Sequence, residues 1–173
     1  METQLSVEQI TMALRNSGMW NKRSDIMIPN LSYGLLPYEA DFVVISKAGY
    51  LTEVEIKRSW QDFKADFKKE HKHDAEQVYY FYYCVPESIV DRVVDFLKVQ
   101  YGSGWCPALL KFTEKGGISR VSVKDETTGM YRVVGSHYNA GSHRKLFLEE
   151  QLTVARLGQL RYWSLLEKTT KYV

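Results

Sequence analysis

The first apolar residues of the chain follow a helical spacing. Within residues 6–15, Val7, Ile10 and Leu14 fall on one face of a helix, and Ser6 precedes them as a side chain that can cap its first turn. The pattern predicts an N-terminal amphipathic helix.

Strand-like runs follow this helix at residues 25–28, 40–46 and 51–57. We expect Pro29 to stop the first run, because proline cannot donate a backbone hydrogen bond. The connection between the second and third runs contains Gly49, which is typical of a β-hairpin.

The third of these runs places charged residues on one side of a strand. Successive side chains of a strand point to opposite faces, so Val54 and Ile56 share one face. Glu53, Glu55 and Lys57 share the other face. A strand that aligns three ionisable side chains suggests a chemical role for that face.

The remaining pattern predicts alternating helices and strands. We expect helices at residues 59–74, 87–98 and 144–168, strands at 77–85, 108–113 and 119–124, and a loop at 126–142. A strand–helix–strand step implies a parallel crossover within a mixed sheet. The predicted fold class is therefore α/β, with a central mixed β-sheet flanked by helices. We expect residues 1–125 to form its core, with the loop and helix of residues 126–173 packed on the same domain.

The composition excludes few classes of function. The 173 residues suit one domain, no apolar run is long enough for a membrane span, and the net charge is only +2. Cys84 and Cys106 have no metal-ligand spacing. Buried free thiols suit a reducing compartment, so we expect a cytoplasmic protein.

Antiparallel pairing brings the start of one strand beside the end of the next. We therefore expect the hairpin to bring together Asp41, Glu55 and Lys57 at one of its ends. Two adjacent carboxylates repel each other, and a hard divalent cation such as Mg²⁺ relieves that repulsion. The carbonyl of Ile56 could add a further oxygen ligand. Lys57 could orient an attacking water or stabilise the transition state of phosphodiester hydrolysis.

The chain has an N-terminal helix, then an Asp, a hairpin and a Glu-x-Lys sequence. This order resembles the PD-(D/E)XK nuclease superfamily, which has a restriction-endonuclease-like fold. The stretch from Glu53 to Lys69, EVEIKRSWQDFKADFKK, is similar to MmcB-like DNA-repair proteins. These have a Glu-x-Lys strand, a Ser, an Asp-Phe pair and a later Asp and Lys on the following helix. The resemblance covers roughly residues 6–97, and Ala40 stands where the motif has Pro.

The resemblance implies a Mg²⁺- or Mn²⁺-dependent nuclease that acts on DNA in repair, recombination or a mobile element. Asp41 and Glu55 would be the metal ligands and Lys57 the catalytic lysine. Some relatives add an acid from the first helix, for which Glu8 is the candidate here. A rival interpretation is a non-catalytic nucleic-acid-binding or assembly module that retains the fold.

Basic residues around the predicted second helix could contact DNA phosphates without sequence preference. They are Arg58, Lys64, Lys68 and Lys72. An ordinary charged helix face explains them equally well, since acidic residues lie between them. The C-terminal helix could bind DNA, pack on the domain or form a homodimer.

Simpler interpretations exist for several charged residues. Asp41, Glu55 and Lys57 could form a solvated hairpin face with an incidental salt bridge. Either Glu39 or Glu53 could support the site from beside it, but we expect both to be simply exposed. His71 and His73 suggest zinc, but histidines two apart on a helix point to different faces, so a solvated helix end is expected there.

Overall fold

The computed structural model describes residues 5–31, 34–69, 73, 75–101, 107–124, 131–133 and 144–170. The helices are α1 (Val7–Asn16), α2 (Trp60–Asp66), α3 (Val90–Tyr101) and α4 (Leu148–Thr170), with a 3₁₀ turn at Glu87–Ile89. The strands are β1 (Ile26–Leu31), β2 (Ala40–Ile45), β3 (Leu51–Ile56), β4 (Val78–Pro86), β5 (Ala108–Phe112), β6 (Ile118–Arg120), β7 (Ser122–Lys124) and β8 (Tyr131–Val133).

The first six strands form one mixed sheet in the order β1-β2-β3-β4-β5-β6. The β3–β4 and β4–β5 pairs are parallel, and the other neighbours are antiparallel. The strands β7 and β8 pair separately. The expected α/β class, with a central mixed sheet flanked by helices, is confirmed.

Two apolar cores lie on opposite faces of this sheet. On one face, Ile10 and Leu14 of α1 pack with Val54 of β3. On the other face, Phe63 of α2 and Val93 of α3 pack against the sheet. Because β3 is central, all six of its residues are buried. Charged residues on β3 must therefore find partners inside the protein.

The N-terminal helix begins as expected at Ser6. The Ser6 hydroxyl accepts a hydrogen bond from the Gln9 amide, and the Gln9 side chain accepts one from the Ser6 amide. This reciprocal pair is a capping box, which satisfies two backbone donors at the helix start.

Several predicted boundaries are wrong. β1 continues through Pro29 to Leu31, because an edge strand tolerates a residue without a backbone donor. α2 ends at Asp66 rather than near residue 74, and His73 contacts Glu53 of β3. The strand predicted at 119–124 is divided between β6 and β7, which lie in different sheets. β8 lies inside the stretch predicted as a loop.

The long helix α4 packs on β1. Val154 is fully buried, and Gly158 lies against Ile28, where an added Cβ would be only 2.8 Å from the Ile28 side chain. Gly158 thus permits a close approach between helix and strand. Among the described residues, no helix combines the length and apolarity that a membrane span requires.

Candidate metal centre

The β2–β3 pair places Asp41 beside Glu55. Phe42 is paired with Val54, so the next position brings Asp41 opposite Glu55. The Asp41 amide lies 3.4 Å from Glu55 Oε1, and the Ile56 amide donates to Asp41 Oδ2 at 2.8 Å. Side-chain carboxylates thus accept from backbone amides where the regular strand pairing ends.

Lys57 lies in the buried interior, directly after β3. Its Nζ donates to Glu55 Oε2 at 2.8 Å and to Asp66 Oδ1 at 2.7 Å. Burial alone would lower the pKa of Lys57, but the negative charges of Glu55 and Asp66 outweigh burial and raise it. An ammonium has three donors, so one N–H remains for a water or a phosphate oxygen.

Asp66 connects the hairpin to helix α2. Its carboxylate accepts from Lys57, from Lys69 at 2.7 Å, from His73 Nε2 at 2.9 Å and from the Tyr83 hydroxyl at 2.8 Å. Burial opposes the charge of Asp66, but the bond from His73 and the charge of Lys57 hold its pKa well below the usual range. Asp66 is therefore a fixed negative charge that holds the Lys57 ammonium in place.

His73 joins Asp66 to the charged face of β3. Its Nδ1 lies 2.7 Å from Glu53 Oε1, its ring stacks on Phe81 at 4.8 Å, and its backbone has a φ of 53°. A positive φ is uncommon for histidine and indicates a conformation held by its surroundings. Burial would lower the pKa of His73, but its bonds to Asp66 and Glu53 raise it to about 9. At neutral pH both ring nitrogens therefore donate.

Asp41 differs from the other acids because it is only half-buried. Burial and the neighbouring Glu55 carboxylate raise the pKa of Asp41 to about 6. Among the described residues, no hydrogen bond reaches its Oδ1. Lys57 pairs with Glu55, but the charge of Glu55 still raises the pKa of Asp41. The two carboxylates thus offer oxygen ligands of the kind that Mg²⁺ or Mn²⁺ prefers.

A second group of possible ligands lies beside this pair. One ligand atom each of Glu53, Glu55 and His73 lies within 4.8 Å of the others, and all three residues are buried. His73 already uses both ring nitrogens, and a metal would have to displace its protons. We interpret this group as an internal ion-pair network that supports the Asp41–Glu55 pair.

The structure brings Asp41, Glu55 and Lys57 together, as the sequence suggests. Glu8 is not among them: it is exposed on α1, which packs on the opposite face of the sheet, and Arg58 is a charged neighbour of it. The Ile56 amide contacts Asp41, and a metal contact of the Ile56 carbonyl stays a prediction.

The predicted DNA-contacting residues occupy different environments. Lys64 and Lys68 are exposed on and just after α2, and Arg58 is half-buried after β3. Lys72 lies outside the described residues. Their role in DNA binding stays a prediction.

Sequence reasoning did not assign several members of the network, among them Asp66, His73 and Tyr83. Glu53 is fully buried rather than exposed, and His73 is 3% exposed rather than part of a solvated helix end. Glu39 is exposed, as expected, and His71 lies outside the described residues. The available signal was the position of Glu53 on the same strand face as Glu55, but nothing local shows which residue neutralises it.

A comparison with models of known protein families finds no match, and a comparison with curated proteins finds none either. A solved structure of a protein of unknown function from Silicibacter pomeroyi is similar, with a TM-score of 0.55 at 11% sequence identity. The match covers 96% of this chain and 92% of that one. This likeness supports the fold and assigns no activity.

Proposed function

We propose that the chain is a metal-dependent nuclease that hydrolyses phosphodiester bonds of DNA. The observation that carries the proposal is the pairing of Asp41 and Glu55 beside an anchored Lys57. Burial and the neighbouring Glu55 raise the pKa of Asp41, so a divalent cation bound at this pair would stabilise its carboxylate. The resemblance of the Glu53 to Lys69 stretch to PD-(D/E)XK and MmcB-like proteins points to the same activity.

Asp41 and Glu55 would hold Mg²⁺ or Mn²⁺. When bound, such an ion lowers the pKa of a coordinated water and neutralises charge that develops on a phosphate. Lys57 contributes the N–H that Glu55 and Asp66 leave unused, and this donor can stabilise a phosphate oxygen or orient a water. Because Glu55 and Asp66 fix the ammonium, little reorganisation is needed during the reaction.

The biological setting belongs to the proposal as well. DNA repair, recombination or a mobile element follows from the family resemblance, and a cytoplasmic location follows from the cysteine content. Cys84 is a buried free cysteine, which is compatible with a reducing compartment.

The direct experiment measures cleavage of labelled single-stranded, duplex and branched DNA with Mg²⁺, Mn²⁺ or EDTA. We expect metal-dependent cleavage by the wild type and a loss of about 100- to 1000-fold in Lys57→Ala, as for removal of one preorganised donor. Asp41→Asn serves as a second variant, because the loss of Lys57 leaves buried carboxylates without their cation.

Glu39→Gln is the matched control, since Glu39 is exposed and lies two residues from Asp41. It should cleave like the wild type. If the wild type binds DNA but never cleaves it, and Lys57→Ala binds equally well, the catalytic proposal is wrong. The chain would then be a non-catalytic nucleic-acid-binding module.

Assembly as a homodimer through α4 is a further part of the proposal. Leu148, Leu152, Tyr162 and Trp163 are each more than half exposed. At 3.6 residues per turn they fall within about 100° of one another around the helix. Such an exposed apolar stripe is typical of an interaction surface. Sedimentation of the wild type and of Leu152→Glu with Trp163→Glu tests it, and a wild-type monomer would refute it.

A further inference from the structure

A cleft of about 920 Å³ lies at the carboxyl ends of the parallel strands. Its walls come from the residues that follow β3, β4 and β5, and Leu5 before α1 completes them. In open α/β sheets, ligands commonly bind at this edge. Arg58, which directly follows Lys57, lines the cleft, so it adjoins the end of β3 that carries the candidate metal centre.

Cations from three separate connections line this cleft. They are Arg58 after β3, Arg92 on α3 and Lys115 after β5. Two acids, Glu87 and Glu114, also line it, but Glu87 forms an ion pair with Lys111. Among the lining residues, three cations thus stand against two acids, which leaves a small excess of positive charge in the cleft. Local charge of this kind attracts a polyanion.

An aromatic ring lies within the same wall. The Arg92 guanidinium lies 4.2 Å from the centre of the Trp60 ring, and Lys64 Nζ lies 5.8 Å from it. Trp60 is half-buried and also lines the cleft. Cationic grooves with aromatic side chains are the usual means of binding single-stranded nucleic acid, because phosphates meet the cations and bases contact the rings.

We propose that this cleft binds a short single-stranded segment of DNA beside the end of β3 that carries the metal centre. Arg58, Arg92 and Lys115 contact its phosphates, and a base packs against the pair formed by Arg92 and Trp60. A cleft of about 920 Å³ holds a few nucleotides of one strand, whereas a duplex is bound from outside through its grooves. This inference rests on the proposed function and specifies its substrate as single-stranded DNA.

The test measures binding of a fluorescent single-stranded oligonucleotide by anisotropy in EDTA, where metal-dependent cleavage is absent. The cleft variant is Arg92→Gln with Lys115→Gln, since both residues are exposed and neither belongs to the metal centre. The control is Lys22→Gln with Lys98→Gln, which removes the same charge from exposed positions outside the cleft.

We expect the cleft variant to bind about tenfold more weakly and the control to bind within about twofold of the wild type. Two lost phosphate contacts should reduce the slope of log affinity against log salt by about 1.4, at roughly 0.7 per contact for single strands. A hairpin duplex should bind the wild type more weakly than the single strand does.

Equal weakening by the cleft variant and the control, or no weakening by either, would overturn the cleft assignment. Tighter binding of the duplex would overturn the choice of substrate. Both outcomes are independent of the cleavage assay with Lys57→Ala. A protein that binds single strands through the cleft but never cleaves would support the cleft and refute the nuclease.

Discussion

The two faces of β3 are equally buried but differ in chemistry. On the α1 side, Val54 and Ile56 pack only with apolar neighbours. On the α2 side, Glu53 and Glu55 belong to a network of ion pairs with Lys57 and its partners. One strand thus supports an ordinary core and a charged interior, only one residue apart in sequence.

The apolar face needs no explanation beyond stability, because burial of apolar area stabilises the folded chain at roughly 25 cal/mol per Å². The charged face cannot be explained in this way. Removing ions from water costs several kcal/mol each, and a buried ion pair often stabilises no more than apolar residues of the same volume. This contrast is the reason for proposing a chemical role for the charges on β3.

The largest expected effect comes from breaking the network at Asp66. Asp66→Ala removes the acceptor shared by Lys57, His73 and Tyr83 and leaves two buried cations without it. We expect the free energy of unfolding to fall by about 3–5 kcal/mol, measured by urea denaturation. Asp62→Ala, on the exposed side of α2, should cost about 1 kcal/mol. Similar losses of stability in the Asp66 and Asp62 variants would show that the bonds of the network are not strongly coupled.

The pH dependence of stability distinguishes the two faces of β3, because only the charged face carries titratable side chains. The bonds to Asp66 and Glu53 raise the pKa of His73 to about 9 in the folded chain, against an ordinary value of 6.5. Its contribution is therefore complete below pH 6.5 and is lost as pH rises through 9. We expect wild-type stability to fall by roughly 2–3 kcal/mol over this interval. His73→Gln should flatten the curve, and an unchanged slope would contradict the assignment.

The smallest effect belongs to the apolar face. Ile56→Val removes one methyl group from the core against α1 and should cost about 0.5–1.5 kcal/mol. Because it leaves the charged face intact, the pH dependence and the response to metal should match the wild type. A changed response to metal would mean that the two faces of β3 are not independent.

Much of the fold could be predicted from local patterns. The Ser6 cap defines α1, Gly49 forms the hairpin turn with a φ of 86°, and the alternation of Glu55 with Ile56 assigns the faces of β3. These features depend on neighbours along the chain, which is why sequence patterns contain them.

The network around the site was less predictable, because its bonds join distant residues. Glu53 and His73 are 20 positions apart, and Glu53 looks like any exposed acid until that partner is known. The lysine-rich stretch after Asp66 favours a longer helix, yet α2 ends at Asp66 and His73 forms buried bonds with Glu53 and Asp66. Tertiary contacts override local propensity at such places.

The central claim is that Asp41 and Glu55 form a metal centre, and unfolding with and without metal tests it most directly. The experiment compares the wild type with Asp41→Asn at neutral pH, in EDTA and in saturating Mn²⁺. We expect Mn²⁺ to stabilise the wild type by about 2.7 kcal/mol at one hundred times its Kd, and Asp41→Asn to gain little. In EDTA the variant should be at least as stable as the wild type, since it removes a repelled charge. Equal gains in both proteins, or no gain in the wild type, would contradict the account.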